Sequence, residues 1–357
     1  MQSTRDMSIT HKNHYVPCMY LKRFADPAGR IFEYRLLVSR QRAKQWKQVS
    51  ISGVGYKRDL YTRCVLGAET DEFEKWLGTD FEHPADGPIG KVEHDEQLEP
   101  SDWEALVRFL ASQIVRTPAF FIGMQPVWDK MMPAVLENSM RDVKEVLQRA
   151  KDAGVPPQTE ETKDRVPVPL RVHREDVPEE GIANITVEVL MGRGLWLNSM
   201  RHLATNTVRF LLEHQWSILH AWFGTQFFTS DDPVVRLNYH SHSQFDFDGG
   251  WGSKGTEIFL PLTPRHLLYA KVGSWTEPRG IILSDGDTHR FRRMIAMHAH
   301  RSIFTATQDG EIPKLRPCIV SERRVKEEQD QWQRWHDEQN QAEAKLMSDP
   351  SPSKRPR

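Results

Sequence analysis

The chain has 357 residues, of which 38% are hydrophobic and 10% aromatic, so it can bury a substantial core as one large domain or as two closely packed ones. This composition excludes wholesale disorder, collagen-like repeats and a coiled coil, and no apolar run reaches the roughly 18–20 residues of a membrane helix. The three cysteines are scattered and residues 1–14 are polar, so we expect a cytoplasmic protein without disulfides or a secretory signal.

The formal net charge is −1, but charge is unevenly distributed in the first third of the chain. Residues 22–63 contain eleven Lys or Arg and three acidic residues, whereas residues 69–104 contain thirteen acidic residues and two Lys. One interpretation is that the two segments neutralise each other on a common surface. The other is that the basic segment contacts a polyanion such as nucleic acid, with Lys44, Lys47, Lys57 and Arg58 as binding residues. The spacing leaves both interpretations open.

The N-terminal half is predicted to begin with β-structure and to become helical. The predicted elements are strands at 30–36 and 60–62, helical spacing from 71, a helix from 101 to about 117, and a helix over about 126–150. A capping box formed by Ser101 and Glu104 is expected to open the helix that begins at 101, and Thr117–Pro118 to end or bend it.

The C-terminal half is predicted to contain a loop, a long helix and then mostly strands. The predicted elements are a loop over 154–181, one long or kinked helix over 184–222 with its kink at Gly192–Gly194, strands at 226–229, 234–237, 256–260 and 266–270, a helix over 287–300 and a strand at 303–305. One GxGxxG match, at 250–255, precedes a strand and not a helix, so it is interpreted as a loop.

These elements predict an α+β fold, with a β-containing N-terminal segment, a helical middle and a β-rich C-terminal part that includes a helix. The predicted organisation is a flexible N-terminus over 1–12, a single large α+β domain over 13–306 with a loop or lobe boundary near 153–183, a polar helical extension over 307–348, and a disordered tail over 349–357. We expect the N-terminal segment to pack against the C-terminal strands.

Three sequence features could carry chemistry. His14 and Tyr15 precede Pro17, at an element boundary where a neutral imidazole acts as a general base or metal ligand, or locks the turn. Ser230 and Asp231 lie between two apolar strands, where a carboxylate is fixed for catalysis or simply stabilises a turn. Arg116, near a helix end and between aromatic residues, needs an anion partner, either a carboxylate such as Asp231 or a substrate phosphate.

The motifs GxxxxGK[ST], HExxH and GxSxG are absent from the sequence, which weakens nucleotide-dependent phosphoryl transfer and serine-type hydrolysis. Four segments, in this order, resemble the bacterial domain-of-unknown-function family numbered 4238. They are His14-Tyr15-Val16-Pro17 with Tyr20, Leu21 and Phe24; Arg116-Thr117-Pro118; 227–234; and 258–264. Cys18 stands where that family usually has Gln, and Asp232 where it often has Asn. The resemblance implies a bacterial cytoplasmic protein and supplies no mechanism.

Two functional hypotheses of different classes follow, with a small-substrate hydrolase as a third. The first is a non-catalytic interaction or sensor module of a defence or stress system, with a protein partner encoded at the same locus. The second is a metal-dependent nuclease in which His14 and Asp231 bind Mg²⁺ or Mn²⁺, Arg116 holds a phosphate, and residues 22–63 hold the backbone. The second requires His14, Arg116 and Asp231 to converge. No membrane partner is expected, and the oligomeric state is open.

Overall fold

The computed structural model describes residues 9–65, 68–154, 170–177, 182–189, 192–241 and 244–348. Helices combine with several sheets, which confirms the predicted α+β class. The predicted tail over 349–357 lies outside the described residues, as do residues 1–8 of the predicted flexible N-terminus. Residues 155–169 and 178–181 of the predicted loop over 154–181 are also outside them, and residues 170–177 form a strand, so the prediction of a loop is wrong there.

The strands of the described chain are β1 (Lys12–His14), β2 (Arg30–Arg35), β3 (Leu37–Val38), β4 (Trp46–Ser50), β5 (Tyr56–Arg58), β6 (Arg63–Val65), β7 (Ala68–Thr70), β8 (Leu170–Val177), β9 (Ile182–Val189), β10 (Ser217–His220), β11 (Thr229–Ser230), β12 (Val235–Tyr239), β13 (Phe245–Asp246), β14 (Glu257–Pro261), β15 (His266–Lys271), β16 (Ser302–Thr305) and β17 (Ile319–Val320). Its α-helices are α1 (Cys18–Leu21), α2 (Glu72–Leu77), α3 (His83–Glu93), α4 (Pro100–Val115), α5 (Pro118–Ala153), α6 (Arg193–His202), α7 (Arg209–Leu212), α8 (Asp285–His298), α9 (Ile312–Leu315) and α10 (Glu322–Ser348). Short 3₁₀ turns lie at Lys22–Phe24 and Ile51–Gly53, and π-helical segments lie at Gly78–Glu82 and Leu203–Thr207.

Two antiparallel sheets organise the β-structure. One has the strand order β10-β15-β14-β12-β13, and the other has the order β11-β16-β2-β4. In the second sheet, β2 from the N-terminal region pairs with β16, with Tyr34 opposite Ile303. The Tyr20 hydroxyl of α1 also donates to the carbonyl oxygen of Pro261 on β14, at 2.5 Å. The N-terminal segment therefore packs against the C-terminal strands, as expected.

Most predicted strands of the C-terminal half are confirmed with small shifts in their ends, and the 250–255 loop leads into β14 as predicted. The strand predicted at 60–62 is wrong, because β6 begins only at Arg63. The strand predicted at 226–229 is reduced to β11, which pairs with β16 and not with the next strand along the chain. The amide of Phe227 is used instead in a bond to the carbonyl oxygen of Pro264, at 2.7 Å.

Two helix ends differ from the prediction because proline begins each helix. The capping box predicted at Ser101 and Glu104 is wrong, since Pro100 occupies the first turn of α4 and the box is formed by Glu99 and Asp102. Thr117 does not simply end that helix. It caps the start of α5, where its side chain accepts from the amide of Phe120 at 3.2 Å.

The prediction of one long helix over 184–222 is also wrong. Residues 182–189 form β9, paired with β8, and α6 begins after Gly192. The side chain of Gln339, on α10, accepts a hydrogen bond from the amide of Arg193 at 2.8 Å. A Cβ atom at Gly192 would lie 2.1 Å from that same side chain. A residue 146 positions away thus caps α6, and local periodicity contains no sign of it.

Candidate functional site

The segment that carries His14 and Tyr15 is held by a tight contact with the chain around β5. His14 of β1 is paired with Tyr56. The amides of Tyr15 and Val16 both donate to the carbonyl oxygen of Gly55, at 2.8 and 3.0 Å. Gly55 has a φ of +63°, a conformation that glycine adopts without steric cost. This turn fixes the positions of both predicted site residues.

His14 keeps one ring nitrogen without a partner. The half-buried ring lies beside Tyr56, with 5.6 Å between the ring centroids. Burial lowers the pKa of His14, and a backbone hydrogen bond with Ser52 opposes this shift. The imidazole is therefore neutral at pH 7. Its buried Nε2 atom has no hydrogen-bond partner among the described residues, so it remains available to accept a proton or a ligand.

Arg116 is fully buried and already paired within the protein. Its guanidinium donates to Glu82 Oε1 at 2.7 Å and also to the carbonyl oxygen of His14. Its own carbonyl oxygen accepts from the Tyr61 hydroxyl at 2.6 Å. The anion partner expected from the sequence is therefore present, but it is Glu82 and not Asp231 or a phosphate. This arrangement is a buried ion pair that joins the end of α4 to the turn that carries His14 and Tyr15.

Glu74, a residue that the sequence did not single out, lies next to His14. One of its carboxylate oxygens is 3.4 Å from the amide nitrogen of His14, and the other, Oε2, is buried without a partner among the described residues. Burial raises the pKa of Glu74 to about 7, although Arg116 opposes that shift. A carboxyl group with a pKa near neutrality thus contacts the backbone of His14.

Asp231 anchors a loop of the backbone. Its carboxylate accepts hydrogen bonds from the amides of His300 and Arg301, at 2.9 and 2.8 Å, and its own amide donates to the carbonyl oxygen of Ser302. Burial raises the pKa of Asp231 to about 7, while the backbone hydrogen bonds oppose the shift. This carboxylate fixes the short link between α8 and β16.

The neighbours of Asp231 have separate roles. The Ser230 hydroxyl donates to the carbonyl oxygen of Asp232 at 2.8 Å, which closes the turn. The Asp232 carboxylate accepts from the Thr117 hydroxyl at 3.1 Å and lies 3.6 Å from His298 Nε2. The two adjacent carboxylates thus have different partners.

The predicted convergence of His14, Arg116 and Asp231 is realised only in part. Arg116 binds the backbone of His14, and the following residue, Thr117, binds Asp232. The side chains of Arg116 and Asp231, however, bind different groups. The structure therefore joins the segments around His14, Arg116 and Asp231 through internal hydrogen bonds, and not around one shared ligand site.

A solvent-open cavity of about 770 Å³ lies between the paired strands β2 and β16, strand β5 and helix α10. Its lining combines cationic, acidic and aromatic side chains. This cavity, called the Lys57 cavity, is lined in part by Glu33, Lys57, Arg301, Glu328, Trp332 and Trp335. Arg301 is paired with Glu328 at 2.6 Å, and Glu33 accepts from the Ser302 hydroxyl at 2.8 Å.

Lys57 differs from the other cations of the cavity. Its ammonium group lies 4.1 Å from the centroid of the Trp332 ring, and the ion pairs of the described residues include none that involves Lys57. Burial lowers the pKa of Lys57, while Glu328 and Asp231 oppose this shift from a longer distance. A half-buried ammonium group with an aromatic ring but no paired carboxylate is suited to an anionic ligand.

Tyr15 and Asp231, two of the predicted site residues, lie close to this cavity. Burial raises the pKa of Tyr15 well above its usual range, and the charges of Asp231 and Glu33 raise it further. Burial also lowers the pKa of His300 to about 3, with Arg301 and Lys57 adding to the shift. His300 is therefore neutral, and its buried Nε2 atom has no hydrogen-bond partner among the described residues.

The other predicted binding residues are scattered. Arg58 lines the cavity but lies 3.3 Å from Asp59. Lys44, just before β4, and Lys47, on β4, are exposed and do not line the cavity. Two cations of the basic segment are paired with the acidic one, through the ion pairs Arg23–Asp86, Arg23–Glu93 and Arg63–Glu72. For these two arginines the contacts favour the interpretation of mutual neutralisation.

The sequence model of the family described as "Protein of unknown function (DUF4238)" matches residues 12–309. The chain belongs to this family. The DUF4238 region contains His14, Arg116 and Asp231, whereas α10, which supplies Trp332 and Glu328 to the Lys57 cavity, follows it. Searches of curated proteins and of solved structures found no match to the chain.

Among the described residues of this DUF4238 protein, no single helix is both long enough and apolar enough to cross a membrane. The helices α4 and α5 taken together meet that criterion of length and composition, and the pair is bent by 64°.

Metal-binding potential lies away from the predicted ligands of this DUF4238 protein. Within the described ranges, one group of at least three His, Cys, Asp or Glu side chains has all its ligand atoms within 4.8 Å of one another. That group is Asp95, His220 and His266, and it includes neither His14 nor Asp231. Sequence reasoning missed it because its members lie on three separate elements. The weak available signal was that both histidines occur at the ends of apolar segments.

Proposed function

We propose that the Lys57 cavity binds a small anionic ligand of the nucleoside phosphate class, and that the protein is a non-catalytic ligand-binding or sensor module. The observation that carries this proposal is the environment of Lys57. Removing an ammonium group from water without a paired anion is costly, and the lowered pKa of Lys57 expresses that cost. An anionic group of a ligand would supply the missing partner.

The rest of the cavity supports the same ligand class. Trp332 and Trp335 offer ring surface against which a planar base can stack. Glu33 and Glu328 offer carboxylate oxygens that accept hydrogen bonds from hydroxyl or N–H groups. A nucleoside phosphate combines an anion, hydroxyl groups and a planar ring. Its size also fits a cavity of about 770 Å³, within the usual range for small-molecule sites.

Calorimetric titration of the full chain with AMP, adenosine and inorganic phosphate tests this proposal. We expect AMP to bind more tightly than either of the other two probes. Lys57→Gln should weaken AMP binding about tenfold or more, because a hydrogen bond to a charged group contributes roughly 1.5–3 kcal/mol. The matched control is Lys44→Gln, which changes an exposed lysine of the same basic segment. Equal AMP binding by Lys57→Gln and wild type, or no binding of AMP at millimolar concentration, would reject the proposal.

The metal-dependent nuclease is the second candidate, and the unpartnered Nε2 atom of His14 favours it, because such an atom can act as a base. The pairing of Arg116 with Glu82 disfavours Arg116 as the phosphate clamp. The test is incubation with single- and double-stranded DNA and RNA, with Mg²⁺, Mn²⁺ or EDTA. Metal-dependent cleavage that disappears in folded His14→Ala and Asp231→Ala variants would establish this candidate over the first.

A further inference from the structure

Two histidines lie next to each other on adjacent strands of the five-stranded sheet. His220 on β10 is directly paired with His266 on β15 in antiparallel register, so both side chains lie on the same face. Their ring centroids are 4.6 Å apart and the rings are nearly perpendicular, at 88°. Asp95, in the loop after α3, approaches the pair. Its Oδ1 atom lies 3.3 Å from Nε2 of His220 and 3.4 Å from Nε2 of His266.

These distances match the edges of a metal coordination polyhedron. Nitrogen or oxygen ligands at about 2.0–2.1 Å from Zn²⁺ in a tetrahedron lie about 3.3–3.4 Å from one another. The three ligand atoms also all lie within 4.8 Å of one another. Two histidines and one carboxylate form a donor set that suits zinc and other first-row transition metals more than Mg²⁺, which prefers oxygen ligands.

A second observation points to a ligand at the same place. His266 is only 2% exposed, and its Nε2 atom has no hydrogen-bond partner among the described residues, although Asp95 is near. Its other nitrogen, Nδ1, lies 2.8 Å from the hydroxyl oxygen of Thr263. Metal-binding histidines are commonly held through the nitrogen that does not bind the metal. Thr263 belongs to the segment 258–264 that the sequence singled out, and orienting His266 gives it a role.

The three ligand side chains differ in their exposure. Those of His220 and His266 are buried. The Asp95 side chain is 56% exposed, so the site is open to solvent on its side.

We propose that Asp95, His220 and His266 bind a divalent transition-metal ion of the zinc class, with a remaining coordination position open to water. The site shares no residue with the Lys57 cavity. It also differs from the predicted Mg²⁺ or Mn²⁺ site at His14 and Asp231 in both its residues and its donor atoms.

Titration of the tag-free, EDTA-treated full chain with Zn²⁺ and, separately, with Co²⁺ tests this site. We expect one equivalent of Zn²⁺ to bind and to raise the unfolding temperature. Co²⁺ should give visible d–d absorption without a thiolate charge-transfer band in the near ultraviolet. Asp95→Asn should weaken Zn²⁺ binding about tenfold or more, because it removes a charged ligand from an exposed position. The control is Asp246→Asn, which alters an exposed His–Asp pair formed with His240.

Three results would overturn the proposal. They are the absence of stoichiometric Zn²⁺ binding, equal binding by wild type and Asp95→Asn, and a cobalt spectrum with a thiolate band, which would assign the ion to a cysteine. Because Asp95 is exposed, we expect its variant to fold, and far-ultraviolet circular dichroism checks this. His220→Gln provides an independent loss of one ligand and should give the same loss of binding.

Discussion

Arg116 and Lys57 are both withdrawn from water, but the protein treats the two cations in opposite ways. The guanidinium of Arg116 is fully buried and bonded to the Glu82 carboxylate and a backbone carbonyl. The ammonium of Lys57 lies against the Trp332 ring and has no ion pair among the described residues. The first cation completes a network within the fold, whereas the second leaves its charge available to something outside it.

The comparison shows that a cation that is important for the fold need not be available to bind a ligand. Arg116 lies in one of the four segments that resemble the family, and its donors hold the end of α4 to Glu82 and to the turn at His14. Lys57 lies in an ordinary short strand, yet it faces a cavity that could admit a ligand. A residue within a distinctive motif can thus serve the fold, while the binding group lies in a segment without a motif.

Arg116→Met is expected to give the largest loss of stability. It would leave the Glu82 carboxylate, whose side chain is 19% exposed, without its cation, and the His14 carbonyl without its donor. Breaking a buried pair by removing one partner costs about 3–5 kcal/mol. Urea denaturation followed by circular dichroism measures this change in the free energy of unfolding.

The matched control for that experiment is Arg149→Met. Arg149 is paired with Glu145 at 3.7 Å on the surface of α5, and its side chain is 74% exposed. Such a pair contributes about 0.5 kcal/mol or less. If both variants lost the same amount of stability, Arg116 would not be the internal anchor that the comparison requires.

Asp231→Ala is expected to destabilise the protein by about 2–3 kcal/mol, because it leaves the amides of His300 and Arg301 without acceptors in a buried turn. Unfolding in urea measures the loss, and Asp129→Ala, at an exposed position on α5, serves as the control. An unchanged stability would mean that the carboxylate does not hold this link. It would then have to be considered for ligand binding instead.

Glu74→Gln is expected to stabilise the protein in a pH-dependent way. The folded pKa of Glu74, about 7, lies above its ordinary value of 4.5, so the folded state holds the proton more tightly than the unfolded state. The protonated group therefore contributes its full stability below about pH 4.5, and this contribution is lost as pH rises through about 7. Glutamine cannot ionise, so the variant should be more stable than wild type by about 1–3 kcal/mol at pH 8.

The measurement is the unfolding free energy of both proteins from pH 5 to pH 9. The difference between them should grow between about pH 5 and pH 8 and then level off. A difference that stays constant over this range would contradict the raised pKa. Glu72→Gln, at an exposed position of α2 two residues before Glu74, controls for a general effect of removing an acidic side chain.

Features specified by neighbouring residues could be predicted from the sequence. The strand predicted at 30–36 is β2, and the helix predicted from 101 to about 117 is α4. The β-rich character of the C-terminal part was also readable. The positions of His14 and Asp231 at element boundaries followed from the prolines and turn residues around them.

Features that depend on distant partners could not be predicted in this way. The Glu82 that pairs with Arg116 is 34 residues away from it, and the Gln339 that caps α6 is 146 residues away. Asp95, His220 and His266 meet only through the register of β10 and β15 and the end of α3. Local periodicity fixes which face of an element is apolar, but it does not identify the side chain that will lie opposite.

Lys57→Met is expected to change stability least, by about 0.5 kcal/mol or less, and this small effect sharpens the comparison with Arg116 most. The change removes an ammonium group whose burial lowers its pKa, and it keeps an apolar chain of similar length against Trp332. The lost cation–π contact and the relieved desolvation therefore oppose each other. Urea unfolding of the ligand-free protein measures the result. A loss as large as that of Arg116→Met would show that Lys57 is also an internal anchor, and the cavity would then lack the free charge on which ligand binding depends.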